Sequence, residues 1–85
     1  MDKLKFGRRL FQARRDKHLT SNELAEIMGM SGSYIRQLEC GSRKPSLDFL
    51  LNICEILDVS PDYLLEGNIR GKDETEGMEE KDGNG

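Results

Sequence analysis

Within "SGSYIRQLEC", residues 31–40, three side chains are suited to reading another molecule: Ser33, Arg36 and Gln37. Gln offers an acceptor and a donor side by side, Arg a planar fork of donors, and Ser a hydroxyl that does either. Such groups match nucleobase edges: Gln pairs with adenine, Arg with guanine, and Ser with either. Their spacing brings them together if the segment is helical. Stepping about 100° per residue from Gly32 puts Ser33, Arg36, Gln37 and Cys40 in one arc. Tyr34, Ile35 and Leu38 fall in the opposite one. A rod packed through its apolar arc and presenting Ser, Arg and Gln outward fits the major groove of a duplex. An ordinary solvated helix face has the same pattern, so the neighbouring residues weigh in the choice. Arg43 and Lys44 follow at once, in a loop placed to grip phosphates. Thr20 and Ser21 open an earlier helix whose first amides offer donors to a phosphate.

The elements that must position these groups are short and all helical. The first helix spans about Lys3 to Lys17, with Asp2 as its N-cap and Phe6, Leu10 and Ala13 as its buried stripe. His18 follows where a left-handed residue helps to end it. "TSNE" is a capping box, Thr20 with Glu23, and opens a second helix over Ser21 to Met28. Leu24, Ala25 and Met28 face inward there, Gly29 ends it, and Met30 is expected to plug the core. Ser31 caps the third helix, Gly32 to Cys40, and Gly41 ends it. Ser46 caps a fourth helix reaching Leu57, with Leu47, Leu50, Ile53, Cys54 and Leu57 expected inward. Ser60 caps a fifth, with Pro61 at its first position. The second and third helices, joined by a tight turn containing Gly, make a helix-turn-helix.

Composition limits the alternatives. An 85-residue chain is one small domain. It has no apolar run long enough to span a membrane and no apolar leader at its start, so a cytoplasmic setting is expected. Cys40 and Cys54 are then reduced thiols, Cys54 in the core and Cys40 near a helix end. With the single His18 they fall short of a metal set, and no C-x-x-C occurs, so neither metal nor cofactor is expected. No Gly-rich phosphate loop or nucleophile–base pair suggests an enzyme, and His18 at a helix end reads as a cap.

The formal charge is −3. Residues 67–85 hold three basic and six acidic groups of the thirteen and sixteen in the chain, which leaves ten of each in residues 1–66. Lys3, Lys5, Arg8, Arg9, Arg14, Arg15 and Lys17 crowd the start, while Asp48, Glu55, Asp58, Asp62 and Glu66 gather near the end of the domain. The domain is therefore neutral but polarised, as nucleic-acid binding allows. The acidic tail has too few apolar residues to order itself. It reads as a solubilising end, a competitor for the basic face, or a docking segment.

In order and spacing, "FGRRL", "R…LT", "ELAEIMGMS", "SYIRQLE", "GSRKPSL" and "LDVSPDYLLEG" resemble the XRE family, the helix-turn-helix type of phage Cro proteins and repressors. The resemblance covers residues 6–66. It implies an all-α, five-helix lambda-repressor-like DNA-binding domain over residues 1–66, which leaves residues 67–85 as the disordered acidic tail expected from composition. It also implies a transcriptional regulator, most simply a repressor, whose third helix reads double-stranded DNA. Carried over position by position, Ser33, Arg36 and Gln37 are the base readers. Ser21, Ser31, Tyr34, Arg43 and Lys44 are the phosphate contacts. The family further suggests a buried ion pair between Arg14 and Glu39. The helical arc agrees, since Glu39 falls beside the apolar side, where a carboxylate needs a cationic partner. A solvated Glu39 is the competing reading.

The family usually acts as homodimers on palindromic operators, paired through the fifth helix and the turn before it. Here that region holds Val59, Pro61, Tyr63, Leu64 and Leu65. Phe11, Ile27, Phe49, Leu51 and Ile56 lie off the main stripes and also suggest an interface. Two positions depart from the family pattern. Ser21 replaces a common Gln that braces the reading helix and holds a phosphate, and Gly32 stands where a side chain often reads a base. With the neutral charge and the surplus apolar residues, Gly32 leaves a second function in play. In that reading the same fold is a protein-interaction module, antitoxin-like, bound to a toxin, an anti-repressor or another regulator.

Overall fold

Five side-chain caps divide the chain into its helices. Asp2, Thr20, Ser31, Ser46 and Ser60 each accept hydrogen bonds from first-turn amides. The computed structural model describes residues 1–66, so the expectation of a disordered tail lies outside the described residues. Its helices are α1 (Lys3–Asp16), α2 (Ser21–Met28), α3 (Gly32–Glu39), α4 (Leu47–Leu57) and α5 (Pro61–Glu66). Among the described residues there is no strand, and no helix is long and apolar enough to cross a membrane. At the first cap, hydrogen bonds from the Lys5 and Leu4 amides hold the Asp2 carboxyl below its ordinary pKa, Lys5 contributing most. The Thr20–Glu23 capping box is complete, with Glu23 Oε1 accepting from the Thr20 amide at 2.9 Å.

Four helix ends close in one way. His18, Gly29, Gly41 and Asp58 have φ of 60°, 70°, 82° and 57°. In each case the next amide reaches back five residues: Leu19 to Arg14, Met30 to Ala25, Ser42 to Gln37 and Val59 to Cys54. This closure satisfies carbonyls that the helix leaves without a partner. At three junctions the cap of the next helix follows immediately, giving the turns His18-Leu19-Thr20, Gly29-Met30-Ser31 and Asp58-Val59-Ser60. The α3–α4 junction is longer, and its extra residues include Arg43 and Lys44.

The core joins all five helices: Phe6, Leu10 and Ala13 of α1, Leu24 and Ala25 of α2, Ile35 and Leu38 of α3, Phe49, Leu50, Ile53, Cys54 and Leu57 of α4, and Leu64 of α5, with Val59 from the turn. α3 packs on both α1 and α2, and α5 packs on α1 and α4. Arg9 adds a polar tie, its Nη1 donating to the Leu64 carbonyl at 3.3 Å.

Several side chains fall elsewhere than their sequence pattern suggests. Phe49 is 1% exposed and meets Tyr34 edge to face, with centroids 5.6 Å apart. Leu47, expected inward, is 69% exposed; it is the first residue after the Ser46 cap. Met30 does not plug the core and stays on the surface, although its amide closes α2. Val59 and Leu64, expected at a pairing surface, are core residues. Val59 turns inward just after the left-handed Asp58, and Leu64 faces α1 and α4. Ile56 is half-buried against the core, while Phe11, Ile27 and Leu51 are exposed.

Gly7 sets the approach of α1 to α3. A Cβ there would collide with the Leu38 and Glu39 carbonyl oxygens. In a helix Ala is favoured over Gly by about 0.8–1.0 kcal/mol. Here the opposing atoms are backbone, so overpacking at about 1–3 kcal/mol or more prevails. Gly7→Ala is expected to lower the urea midpoint, with a net loss of about 1–2 kcal/mol; an unchanged or higher midpoint would contradict this packing.

Candidate nucleic-acid interface

α3 is held through its apolar face and at its C-terminal end. Ile35 and Leu38 are fully buried, each worth roughly 1.5–3 kcal/mol of transfer free energy. Its C-terminal end is fixed by Glu39. Arg14 Nε donates to Glu39 Oε2 at 2.6 Å and Nη2 to Oε1 at 3.0 Å, a bidentate pair whose side chains are 8% and 9% exposed. Arg14 Nη1 donates to the Leu19 carbonyl at 2.8 Å, so the same guanidinium also fixes the α1–α2 turn. The Phe11 ring lies under both neighbouring guanidinium groups, 5.0 Å from that of Arg14 and 5.4 Å from that of Arg15. The solvated reading of Glu39 is therefore set aside.

With that side occupied, the opposite side of α3 faces outward. Ser33 and Arg36 are exposed and Gln37 is half-buried. The structure brings these three to one surface, but two of them are already engaged. Arg36 Nη1 donates to Ser21 Oγ and to Asn22 Oδ1, both at 3.3 Å. Gln37 Oε1 accepts from Arg43 Nη1 at 3.1 Å. That bond fixes which end of the amide is oxygen, because Arg can only donate. Arg43 in turn lies over the Tyr34 ring, 5.2 Å from its centroid.

The expected phosphate contacts surround this face. Ser21, half-buried at the start of α2, is the acceptor for Arg36 and keeps its own hydroxyl hydrogen to donate. Ser31 Oγ caps α3 through the Tyr34 amide. Tyr34 is half-buried between Phe49 and Arg43. Lys44 is exposed in the α3–α4 loop, beside Arg43. Asn22 escapes a reading of the sequence: it lies on α2, one residue past Ser21, and only the packing angle of α2 against α3 brings it to Arg36. Of the region expected to pair two copies, Pro61, Tyr63 and Leu65 are half-buried, whereas Val59 and Leu64 are inside.

A short helix, a glycine turn and a second helix seated through its apolar face form a helix-turn-helix. The profile of a family described as helix-turn-helix matches residues 10–64. The chain belongs to this family, of the XRE type. It is similar to YqaE of Bacillus subtilis (strain 168), named as an uncharacterized HTH-type transcriptional regulator: 40% identical over 67 residues, 79% of this chain and 58% of that protein. Among solved structures, the restriction-modification controller protein C.AhdI from Aeromonas hydrophila is 38% identical with a TM-score of 0.69, over 74% of this chain and 91% of that one. The P22 c2 repressor, solved in complex with a synthetic operator, is 32% identical with a TM-score of 0.70, over 74% of this chain and 96% of that one. The chain spans 54–60% of the length of the first curated relatives it matches.

Cys40 closes the exposed arc of α3, while Cys54 is buried. The Cys40 thiol is held below its ordinary pKa, first by the Ser42 hydroxyl 3.4 Å away and then by the Ser42 amide. Hydrogen bonding to the thiolate favours ionisation. In the folded protein Cys40 is expected to alkylate with a rate-versus-pH midpoint below that of an unstructured thiol. Cys54 should react only on unfolding. A midpoint at or above that of an unstructured thiol would contradict the assignment.

Proposed function

We propose that the chain is a sequence-specific, double-stranded DNA-binding transcriptional regulator, acting as a repressor in the cytoplasm. The observation that carries this reading is the seat of α3: its apolar face and its C-terminal carboxylate are committed to protein, and Ser33, Arg36 and Gln37 are turned outward together. In this reading α3 enters the major groove, where those three side chains read base edges. Arg43, Lys44, Ser21, Ser31 and Tyr34 bind the phosphates on either side. Residues 1–66 act as the DNA-binding domain. Kinship with a controller protein and a repressor supports the assignment.

The working unit is a homodimer on a palindromic operator, with the two copies of α3 about 34 Å apart to meet successive major grooves. Pro61, Tyr63 and Leu65 of α5, with half-buried Ile56 of α4, supply the pairing surface. The overall charge does not oppose this, because the electrostatic term depends on local phosphate contacts rather than on the net sum.

Gel-shift titrations across a salt series, with a duplex recovered by site selection, test the proposal. Affinity should fall steeply as salt rises. Gln37→Ala should relax preference at one base pair, at a cost of about 1–3 kcal/mol, while Lys44→Ala should weaken all sequences alike and reduce the salt slope by about one. Recovery of no preferred sequence, or unchanged preferences in Gln37→Ala, would overturn it.

A further inference from the structure

The absent side chain of Gly32 and the position of Arg36 are two parts of one arrangement. A Cβ at position 32 would collide with Asn22 Oδ1 and lie 3.1 Å from Arg36 Nη1. The space that a side chain at 32 would take is therefore filled from two other places. Asn22 enters it from α2, and the Arg36 guanidinium folds back into it along α3, one turn toward the N-terminus. Nη1 carries two hydrogens and has two acceptors, Ser21 Oγ and Asn22 Oδ1. Its donor capacity is used within the protein. The remaining edge of the guanidinium, Nε and Nη2, still presents parallel donors, the fork that matches guanine O6 and N7.

We propose that Asn22 is a specificity-determining positioning residue: across Gly32 it holds Arg36 at the N-terminal end of α3, where the arginine reads a guanine in place of the missing side chain at position 32. The inference rests on the DNA-reading proposal above and goes one step beyond it. Three consequences follow from the geometry. Arg36 reads a base pair nearer the start of α3 than its own position on the helix implies. Asn22 affects a base it need not touch. Gly32 is required for the space it leaves, not for its conformation, since its φ lies outside the left-handed region. A long, flexible arginine held in advance also loses less rotamer freedom on binding than a free one.

The test is site selection with the full 85-residue chain, run on the unaltered protein and on Arg36→Ala, Asn22→Ala and Gly32→Ala, with a thermal melt of each. Arg36→Ala should abolish preference for guanine at one base pair, a loss of roughly 5- to 150-fold in discrimination. Asn22→Ala and Gly32→Ala should each weaken preference at that same base pair, leave the other positions as they were, and melt within a few degrees of the parent. Combining Asn22→Ala with Arg36→Ala should add little at that position, as expected of residues that act as a unit. If the guanine preference lost in Arg36→Ala survives intact in Asn22→Ala, this inference falls while the DNA-reading proposal stands. If Asn22→Ala instead lowers all preferences together with the melting temperature, the residue is structural and the inference falls again. If the unaltered chain selects no sequence, both fall.

Discussion

One buried guanidinium organises the domain. Arg14 spends its donors on both oxygens of Glu39 and on the Leu19 carbonyl, and so joins α1, the turn after it and the far end of α3. Taking two charges out of water is costly, and the gain from pairing them offsets that cost only when geometry and hydrogen bonding are good. The bidentate contact, the third bond to a carbonyl and the stacking of the guanidinium over Phe11 meet those conditions. The pair is best understood as a positional device. Either partner alone would be a nearly buried, uncompensated charge, so structures in which α3 rotates or slides away from α1 are disfavoured. Gly7 complements it by letting the α3 carbonyls approach α1 where any Cβ would intrude.

Fixing α3 on one side defines the chemistry available on the other. The outward arc is already organised before any partner arrives: Arg36 leans on α2, and Gln37, Arg43 and Tyr34 form a second chain of contacts at the opposite end. Those bonds lie at the surface, where water competes, so they set orientation more than stability. The turns contribute as well. Three junctions pass from a left-handed residue to the next cap with a single residue between, which leaves little freedom in how successive helices are aimed. The α3–α4 junction departs from that pattern, and its added length carries Arg43 back over α3.

Much of this was legible in the sequence because its signals are local. Caps at Asp2, Thr20, Ser31, Ser46 and Ser60, the capping box with Glu23, and the left-handed His18 and Gly29 are set by residues within one turn of each other, and they fix the helix bounds to within a residue. The outward arc of α3 followed from its strict separation of polar and apolar positions. What was not legible depends on how helices are rotated against one another. α4 is apolar around much of its circumference, so Phe49 and Leu47 exchange roles without disturbing the pattern. Val59 and Leu64 look like surface pairing residues until α5 is laid across α1 and α4. The partnership of Asn22 with Arg36 needs the α2–α3 crossing, and the role of Gly7 needs the α1–α3 distance. The three acidic-tail readings concern residues beyond those described.

The seat of α3 is tested most directly by a double-mutant cycle between Arg14 and Glu39, each replaced by Met, with stability measured by urea denaturation. Each single replacement should cost about 3 kcal/mol or more, because it leaves its partner's charge buried and unpaired. The double replacement should cost little more than either, or less, giving a coupling of at least about 2–3 kcal/mol. Losses that simply add, with a coupling near zero, would mean that the pair does not hold α3 in place, and the account of how its outward face is presented would fail with it.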